Sequence, residues 1–275
     1  MAPSLPDFPT EIVEEIADYL QPGNDEVHLH SYKCVPIFNF RMANKQLAAK
    51  SERVFAKTYF SDRVVHGIDT KINQVVQIAK HPMLNSYLKW VSLMFLPVTV
   101  PGAIRLNDPL ITQALNELPK ITQLDILTPY TFKPPECSKF SSDLHMPQLT
   151  QLIVRNIAVD SENLAAFMTK HDNLSSVDLG SVRLHSGWNV DILNSACKLP
   201  RLLKFIFSRS PGRHNRYDKA TLGCWNEDGY EIRLGITMAT VVARDQVQMR
   251  HAMGVLSKLY LDSIDGNGNY PPASL

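Results

Sequence analysis

The chain has 275 residues, 44% of them hydrophobic and 20% charged, so it can hold one or two domains with a sizeable core. Its net charge of +1 argues against a broadly basic nucleic-acid-binding protein and against an acidic solvating chain. The four cysteines form no Cys-x-x-Cys pair, which argues against a zinc knuckle or a thioredoxin-type site. There is no signal-peptide pattern and no apolar run long enough for a bilayer. We therefore expect a protein of the cytoplasm, the nucleus or both.

The first predicted element is a short amphipathic helix that begins at Thr10 and ends before Pro22-Gly23. Thr10 follows a proline and is expected to be the N-cap. The adjacent carboxylates Glu14 and Glu15 are expected to face solvent. The apolar residues recur at every fourth position and form one stripe: Ile12, Ile16 and Leu20. A helix this short must bury its stripe against neighbours or against a partner.

Two further helices are predicted, one over residues 25–40 and one over residues 44–59. One side of the third helix is apolar, and its basic residues, among them Lys50 and Arg53, are expected to face away from that side. Three short helices enclose little core of their own. Residues 5–60 are therefore predicted to form a small helical module that is stabilised by docking onto something else.

From residue 64 to residue 207 the chain repeats a pattern of strand and helix. Each strand region has one apolar residue, a second three positions later and a third two positions after that, at irregular steps of 25 to 33 residues. The three apolar side chains are expected to point into the stack and the residues between them outward. A long loop from Thr128 to Met146 interrupts the second unit. The five units begin at Leu88, Ile121, Leu149, Leu174 and Leu202.

The outward positions of these strands form the candidate recognition surface of residues 64–207. They combine amides with charges of both signs, so they specify no class of ligand. We expect an unidentified protein substrate to bind here. The candidate residues are Gln123, Asp125, Gln151, Arg155, Asp178, Arg183 and Lys204.

After residue 207 the repeat pattern ends, and residues 208–262 are predicted to cap the end of the stack. Alternating apolar residues predict a strand over 230–238, and a helix follows over 247–262. Residues 263–275 are rich in glycine, asparagine and proline and are expected to form a flexible tail.

No motif of enzymatic catalysis or of cofactor binding is present. The chain lacks a Gly-x-Ser-x-Gly elbow, a phosphate-binding loop and a His-Glu-x-x-His motif, so we expect no catalytic residue and no cofactor. The spacing of His28, His30 and Cys34 could hold a metal, but surface histidines at a helix entry explain it as well, and we predict no metal site. The basic run Arg209–Lys219 fits either a nucleic-acid or acidic partner or a flexible loop, and we expect no nucleic-acid partner. Two tryptophans fit either packing or recognition: Trp188 and Trp225.

The N-terminal pattern resembles the F-box, a short module of three helices. Phe8-Pro9-Thr10-Glu11-Ile12, followed by Ile16 and Leu20, looks like its opening, with Phe8 in place of the usual leucine unless Leu5-Pro6 takes that role. Arg41-Met42-Ala43-Asn44-Lys45-Gln46-Leu47 is similar to the entry of its third helix in fungal members. The segment between these motifs, residues 21–40, is longer than the linker of most members.

The repeat pattern is similar to a leucine-rich repeat, most extensively over residues 174–184. Ile157 and Val182 occupy the position at which that family carries a buried asparagine, so we expect no ladder of asparagine side chains and an irregular solenoid. Together the two resemblances predict an α/β protein. It would comprise a three-helix F-box, an irregular leucine-rich-repeat-like solenoid and a C-terminal strand–helix cap.

The resemblance implies a non-catalytic, substrate-recognition subunit of an SCF-type cullin–RING ubiquitin ligase. The N-terminal helices would dock a Skp-family adaptor, and through it cullin, while the repeat face presents a protein substrate. The alternative is a non-catalytic leucine-rich-repeat interaction scaffold whose N-terminal helices only cap the solenoid. The residues expected to bind the adaptor are Leu5, Pro6, Phe8, Pro9, Ile12, Ile16, Leu20, Asn44, Lys45 and Leu47.

Overall fold

The computed structural model describes the chain in ten segments separated by gaps. These are residues 4–20, 36–66, 69–95, 108–118, 120–128, 140–184, 189–209, 222–225, 230–235 and 238–262. At some positions within these segments only the backbone is described. The predicted flexible tail, residues 263–275, lies outside them, as do the three residues considered as metal ligands, His28, His30 and Cys34. Trp188 and most of the basic run Arg209–Lys219 also lie outside the described residues.

Four short helices form the N-terminal region: α1 (Thr10–Tyr19), α2 (Pro36–Ala43), α3 (Lys45–Lys50) and α4 (Glu52–Tyr59). Thr10 is the first residue of α1 and Pro9 is its N-cap, so the predicted capping role of Thr10 is wrong. Within the described residues the second helix begins at Pro36, and residues 21–35, which include most of the helix predicted over 25–40, lie outside them. Proline suits the first position of a helix because the missing N–H would have had no partner there.

The predicted third helix over 44–59 is two helices, which meet at Ser51. The Ser51 hydroxyl donates to the Leu47 carbonyl at 2.6 Å. One guanidinium nitrogen of Arg41 donates to the Ala48 carbonyl at 2.7 Å and to Ser51 Oγ at 3.1 Å. Side-chain donors therefore occupy carbonyls at the end of α3, where the regular helical ladder stops.

The helices enclose a small core of their own. The side chains with almost no exposure are Val13, Ala17, Ile37, Leu47 and Ala56. Beside them, Phe38 and Phe55 pack edge to face with ring centroids 5.2 Å apart, and the Arg41 guanidinium lies 4.2 Å from the centre of the Phe55 ring. None of these residues belongs to the continuous core that begins at Val65.

The rest of the described chain is built on one mostly parallel sheet, which confirms the predicted α/β class. Six parallel strands lie side by side in the order β1-β2-β3-β4-β6-β7, and β10, β9 and β8 continue the sheet antiparallel. The short β5 pairs with β6 beside this path. The strands are β1 (Asp62–His66), β2 (Trp90–Met94), β3 (Gln123–Leu127), β4 (Gln151–Arg155), β5 (Ala158–Val159), β6 (Ser176–Leu184), β7 (Lys204–Arg209), β8 (Leu222–Trp225), β9 (Tyr230–Gly235) and β10 (Met238–Ala243).

The register of the parallel strands confirms the predicted apolar columns. Val91, Leu124, Leu152, Val177 and Phe205 pair in one continuous row, and all are fully buried. The row two residues later is buried in the same way: Leu93, Ile126, Val154, Leu179 and Phe207. Side chains alternate along a strand, so these two rows share one face of the sheet.

One strand was not predicted. In β1, Arg63 pairs with Val91 and Val65 pairs with Leu93, so β1 continues both rows one step towards the N-terminus. Arg63 stands where the pattern has an apolar residue, and its guanidinium lies 4.3 Å from the centre of the Phe60 ring. The parallel sheet therefore begins at Asp62.

Five helices contribute to the same core as the buried rows: α5 (Asp69–Lys80), α6 (Pro109–Asn116), α7 (Ser161–Thr169), α8 (Asn189–Lys198) and α9 (Gln246–Asp262). Asp108 caps α6 by accepting from Leu110 N–H, and Pro109 follows it, as predicted. Asp160 caps α7 in the same manner. The helices thus lie on the face of the sheet that carries the buried rows.

Residues 140–148 run beside α6 and α7 without forming a helix. Phe140 stacks on Phe167 of α7 with ring centroids 4.2 Å apart, and the Asn163 amide bonds both backbone groups of Phe140. His171 anchors the same segment, because its Nε2 accepts from the Met146 N–H at 3.1 Å. The described part of the predicted loop 128–146 is therefore attached to the helical layer.

A buried asparagine bonds between neighbouring strand regions, although no asparagine ladder was predicted. Asn156, directly after β4, is 6% exposed and donates its amide N–H to the Thr128 carbonyl at 2.9 Å. It has a φ of 54°, and Ser181, at the next register position along, has a φ of 55°. Asparagine tolerates this left-handed conformation better than most residues. This single asparagine lies one residue before Ile157, which occupies the position at which the family carries its buried asparagine.

The C-terminal region differs from its prediction in detail. The single strand expected over 230–238 spans the whole of β9 and the first residue of β10, because β9 runs from Tyr230 to Gly235 and β10 begins at Met238. β10 pairs antiparallel with β7, and α9 contacts β10 and α8. Among the described residues, no helix is both long and apolar enough to cross a membrane.

Candidate functional site

The residues predicted to bind an adaptor or a substrate lie on two surfaces: the N-terminal helices and the outer face of the sheet. On α1, Val13 and Ala17 are fully buried, whereas Ile12 is 41% exposed and Ile16 and Leu20 are half-buried. Ile12 therefore lies outside the face that α1 packs against its own neighbours, whereas Ile16 and Leu20 are partly covered. The seven apolar N-terminal residues are called the hook residues below: Leu5, Pro6, Phe8, Pro9, Ile12, Ile16 and Leu20.

Lys50 holds the first hook residues in place. A tight turn over Leu5–Asp7 is closed by Ser4, whose backbone N–H and hydroxyl both donate to the Asp7 carboxylate and lower the pKa of that group. The Lys50 ammonium then donates to the Pro6 carbonyl at 2.9 Å and to the Phe8 carbonyl at 2.7 Å. Lys50 was predicted only to face away from the apolar side of its helix, and this contact with the N-terminal turn was not predicted. The sequence missed its role because the contact spans 42 and 44 residues.

Glu14 and Arg53 connect α1 to α4. Arg53 Nε donates to Glu14 Oε1 at 2.8 Å, and a second guanidinium nitrogen bonds the other carboxylate oxygen. This bond is the main cause of the lowered pKa of Glu14. Glu14 was predicted to lie on a solvated face, and its side chain, which is only 14% exposed, corrects that prediction. Because the Arg53 side chain is largely exposed, the pair contributes to alignment more than to stability.

The three adaptor-binding residues predicted at the third helix, Asn44, Lys45 and Leu47, differ in exposure. Asn44 is exposed and caps α3, its side-chain oxygen accepting from Gln46 N–H at 2.7 Å, and Lys45 is exposed beside it. Leu47 is 4% exposed and belongs to the small helical core. In this conformation Leu47 cannot contact a partner directly, and it can affect binding only by supporting the residues that pack above it. A shallow groove lies between the N-terminal turn and α3, lined by Pro6, Asp7, Gln46, Ala49 and Lys50.

The outer face of the sheet, opposite the helices, brings most of the predicted recognition residues together. One row across the strands contains Gln123, Gln151, Ser176 and Lys204, with Trp90 at its start. The row two residues later contains Ser92, Asp125, Ile153, Asp178 and Ile206. Of the predicted set, the Arg183 side chain is not among those described. Trp90 and Ile153 were missed, although their alternation with buried residues was visible in the sequence.

Asp178 forms an ion pair with an arginine of the same chain on this face. It is 8% exposed, and its carboxylate accepts from the guanidinium of Arg155 on the neighbouring strand. The Arg155 side chain passes over Gly180, where an added Cβ would come within 3.1 Å of Arg155 Cγ. The missing side chain of Gly180 leaves the space that this ion pair uses.

Asp125 is the other buried carboxylate of the outer face. It accepts from Gln123 Nε2 at 3.1 Å and from the Trp90 indole. Burial raises its pKa, although both hydrogen bonds and the charge of Arg155 oppose that shift. No group of three or more His, Cys, Asp or Glu residues that could hold a metal occurs in the described part of the chain. The arrangement therefore offers hydrogen bonds and charge for binding.

Comparison with known proteins adds no relative: no family model matches this chain, and no curated protein matches it significantly.

Proposed function

We propose that this chain is an F-box adaptor, the substrate-recognition subunit of an SCF-type cullin–RING ubiquitin ligase. Residues 5–60 are the F-box-like docking module, residues 62–209 are an irregular leucine-rich-repeat-like solenoid, and the strands and helix up to residue 262 cap it. The hook residues, with Asn44 and Lys45, bind a Skp-family adaptor and through it cullin. The protein acts in the cytoplasm, the nucleus or both.

The observation that carries the proposal is the separation between what α1 buries and what it exposes. Val13 and Ala17 satisfy the internal packing of α1, and the helical core stays apart from the sheet core. Ile12 and Leu5 meanwhile remain 41% and 37% exposed. An apolar surface that folding leaves uncovered, on a module with its own core, is typical of a protein-binding site.

The sheet region supports the second half of the proposal. Parallel strands in chain order, with helices on one face, leave the outer face without a covering element among the described residues. That face is long and carries both polar and apolar side chains. Such a surface suits the binding of a protein segment, and it needs no catalytic residue of its own. Catalysis would come from proximity, since holding a substrate near the charged conjugating enzyme raises its effective concentration.

The alternative, an interaction scaffold with a helical cap, rests on one contact. The Ser61 carbonyl, directly after the helical module, accepts from both Lys89 N–H and Trp90 N–H, so the module is attached to the first strands. A cap would be expected to bury its apolar stripe on the stack, and the exposed Ile12 favours the docking hypothesis instead.

Capture by a purified Skp-family adaptor tests the proposal. We expect the full chain to bind, and Ile12→Asp to weaken binding by about 2 kcal/mol or more, roughly thirtyfold, because a charge would replace an apolar anchor. Val247→Asp is the matched control, since Val247 is an exposed apolar helix residue on α9. Both variants should keep the wild-type melting temperature. No capture of the wild-type chain would refute the proposed function, and full capture of Ile12→Asp would refute the residue assignment.

A further inference from the structure

One buried carboxylate on the outer face is reached by the charge of Arg155 but is not ion-paired within the part of the chain that the structure describes. Asp125 is 6% exposed and receives hydrogen bonds from Gln123 and Trp90. Among the described residues it forms no ion pair, whereas Glu14 and Asp178 each do. Burying a carboxylate without a countercharge is costly, so a cation brought to this position would gain more than one at an exposed carboxylate.

A second site in the same sheet shows what such a cation would do. Asp125 and Asp178 lie in the same row of the outer face. For Asp178, the strand before it supplies Arg155 from the next outward position. The register places Met94 at the corresponding position on the strand before Asp125. The chain therefore fills one of two matching positions with a guanidinium and the other with an uncharged thioether.

The surroundings of Asp125 suit a long cationic side chain. Trp90 is 39% exposed, pairs in register with Gln123 and bonds Asp125 through its indole. Val64, on the neighbouring strand, is 41% exposed and pairs with Ser92 in the row of Asp125. An aromatic face attracts guanidinium and ammonium groups, and apolar neighbours pack against the methylene stem of lysine or arginine.

We propose that the outer face binds a protein segment that presents an arginine or lysine side chain to Asp125, with its stem against Trp90. This inference depends on the proposed function only for identifying that segment as part of a substrate. Charge complementarity excludes acidic peptides and nucleic acids at this position, because they would place a second negative charge beside a buried carboxylate.

Peptide titration of the full chain tests this proposal. The probe is acetyl-Gly-Ile-Arg-Val-Gly-amide, and its control is the same peptide with citrulline, which keeps the shape of arginine but not its charge. The readout is the NMR shift of the Trp90 indole N–H, which belongs to the site. We expect the arginine peptide to bind at least about tenfold more tightly, because a charge-assisted hydrogen bond is replaced by a neutral one.

Variants of the protein locate the effect. Asp125→Asn should reduce arginine-peptide affinity to the level of the citrulline peptide, and Asp62→Asn, an exposed carboxylate on the outer row beside Trp90, should leave it unchanged. If Asp125→Asn does not fold, the comparison of the two peptides on the wild-type chain decides.

Three results would overturn the inference: no shift of the Trp90 signal, equal affinity for the two peptides, or stronger binding of a glutamate peptide. No adaptor is present in this titration, so its failure is distinct from a failure of adaptor capture.

Discussion

The helices of residues 10–59 and the sheet of residues 62–243 are stabilised in different ways. In the sheet, the strands from β2 to β7 along the main path pair with neighbours on both sides and add apolar side chains to one continuous core. The helices share a core of only a few small or medium side chains and depend on long polar side chains, Arg41, Lys50 and Arg53, to hold their parts together. The difference indicates a rigid body that carries a smaller, more easily opened module, and the following predictions test that contrast.

The largest effect is expected in the sheet. Phe205→Ala should lower the free energy of unfolding by about 3–5 kcal/mol, because it leaves a cavity in a fully buried row. Chemical denaturation should show this loss, and hydrogen exchange should increase throughout the sheet. A loss below about 1 kcal/mol would mean that the core can collapse around the cavity and is less rigid than the register implies.

The next effect is expected in the helices. Arg41→Met keeps the length of the side chain but removes its bonds to Ala48 and Ser51 and its contact with Phe55, which should cost about 1–3 kcal/mol. Hydrogen exchange should accelerate in α3 and α4 and stay unchanged in β3 and β4. Faster exchange in both regions would show that they unfold as one unit and would contradict the comparison.

A smaller effect, a dependence of stability on pH, is expected from His171, which lies in the helical layer of the sheet region. His171 is buried, its Nδ1 lies 2.7 Å from the Phe167 carbonyl, and its Nε2 accepts from Met146, so the neutral form fits. Burial is the main cause of its lowered pKa, and the neighbouring His145 and Lys170 lower it further while Asp172 opposes them.

The sign of that dependence follows from linkage. His171 binds a proton less readily in the folded state than in the unfolded state. Its contribution to stability is therefore complete above the unfolded pKa of about 6.5 and is lost as the pH falls below that value. The loss cannot exceed about 1.4 kcal/mol per pH unit. Denaturation of His171→Gln should show a weaker acid dependence between pH 7 and pH 5 than wild type, and an equal dependence would exclude His171 as the cause.

The smallest effect is expected on the outer face. Gly180→Ala places a Cβ against Arg155 and should displace that flexible side chain from Asp178 at a cost of about 1 kcal/mol or less. The Arg155 signals in NMR should move while the melting temperature changes little. Ser176→Ala, on the same strand and face, is the control and should leave the Arg155 signals in place.

Much of the sheet could be predicted because its signal is local. Every inward residue from Leu88 to Phe207 was assigned correctly, since the register follows from spacing alone. β1 was missed because Arg63 breaks the apolar pattern at one position. The third helix was placed less well, because the break at Ser51 depends on Arg41, a side chain from another helix.

For the candidate surfaces, the sequence predicted on which face the residues lie but not which side chains contact each other. Alternation along the strands correctly placed Asp125 and Asp178 together on the outer face. It could not show that Arg155 forms its ion pair with Asp178 and not with Asp125, because that depends on the empty space at Gly180. Similarly, the stripe at Ile12 was visible in the sequence, whereas the attachment of Leu5–Phe8 by Lys50 is a tertiary contact.

The strand order has a consequence for how the chain folds. From β1 to β7, the main path of the sheet always pairs a strand with its nearest long neighbour in the sequence. Each pairing closes a loop of similar, moderate length, so no single step carries an unusually large entropy cost. Assembly can start at any strand pair and spread in both directions, as expected for a linear array of units. The β9–β10 hairpin forms locally and can join β7 last, which would end the growth of the array at its C-terminal side.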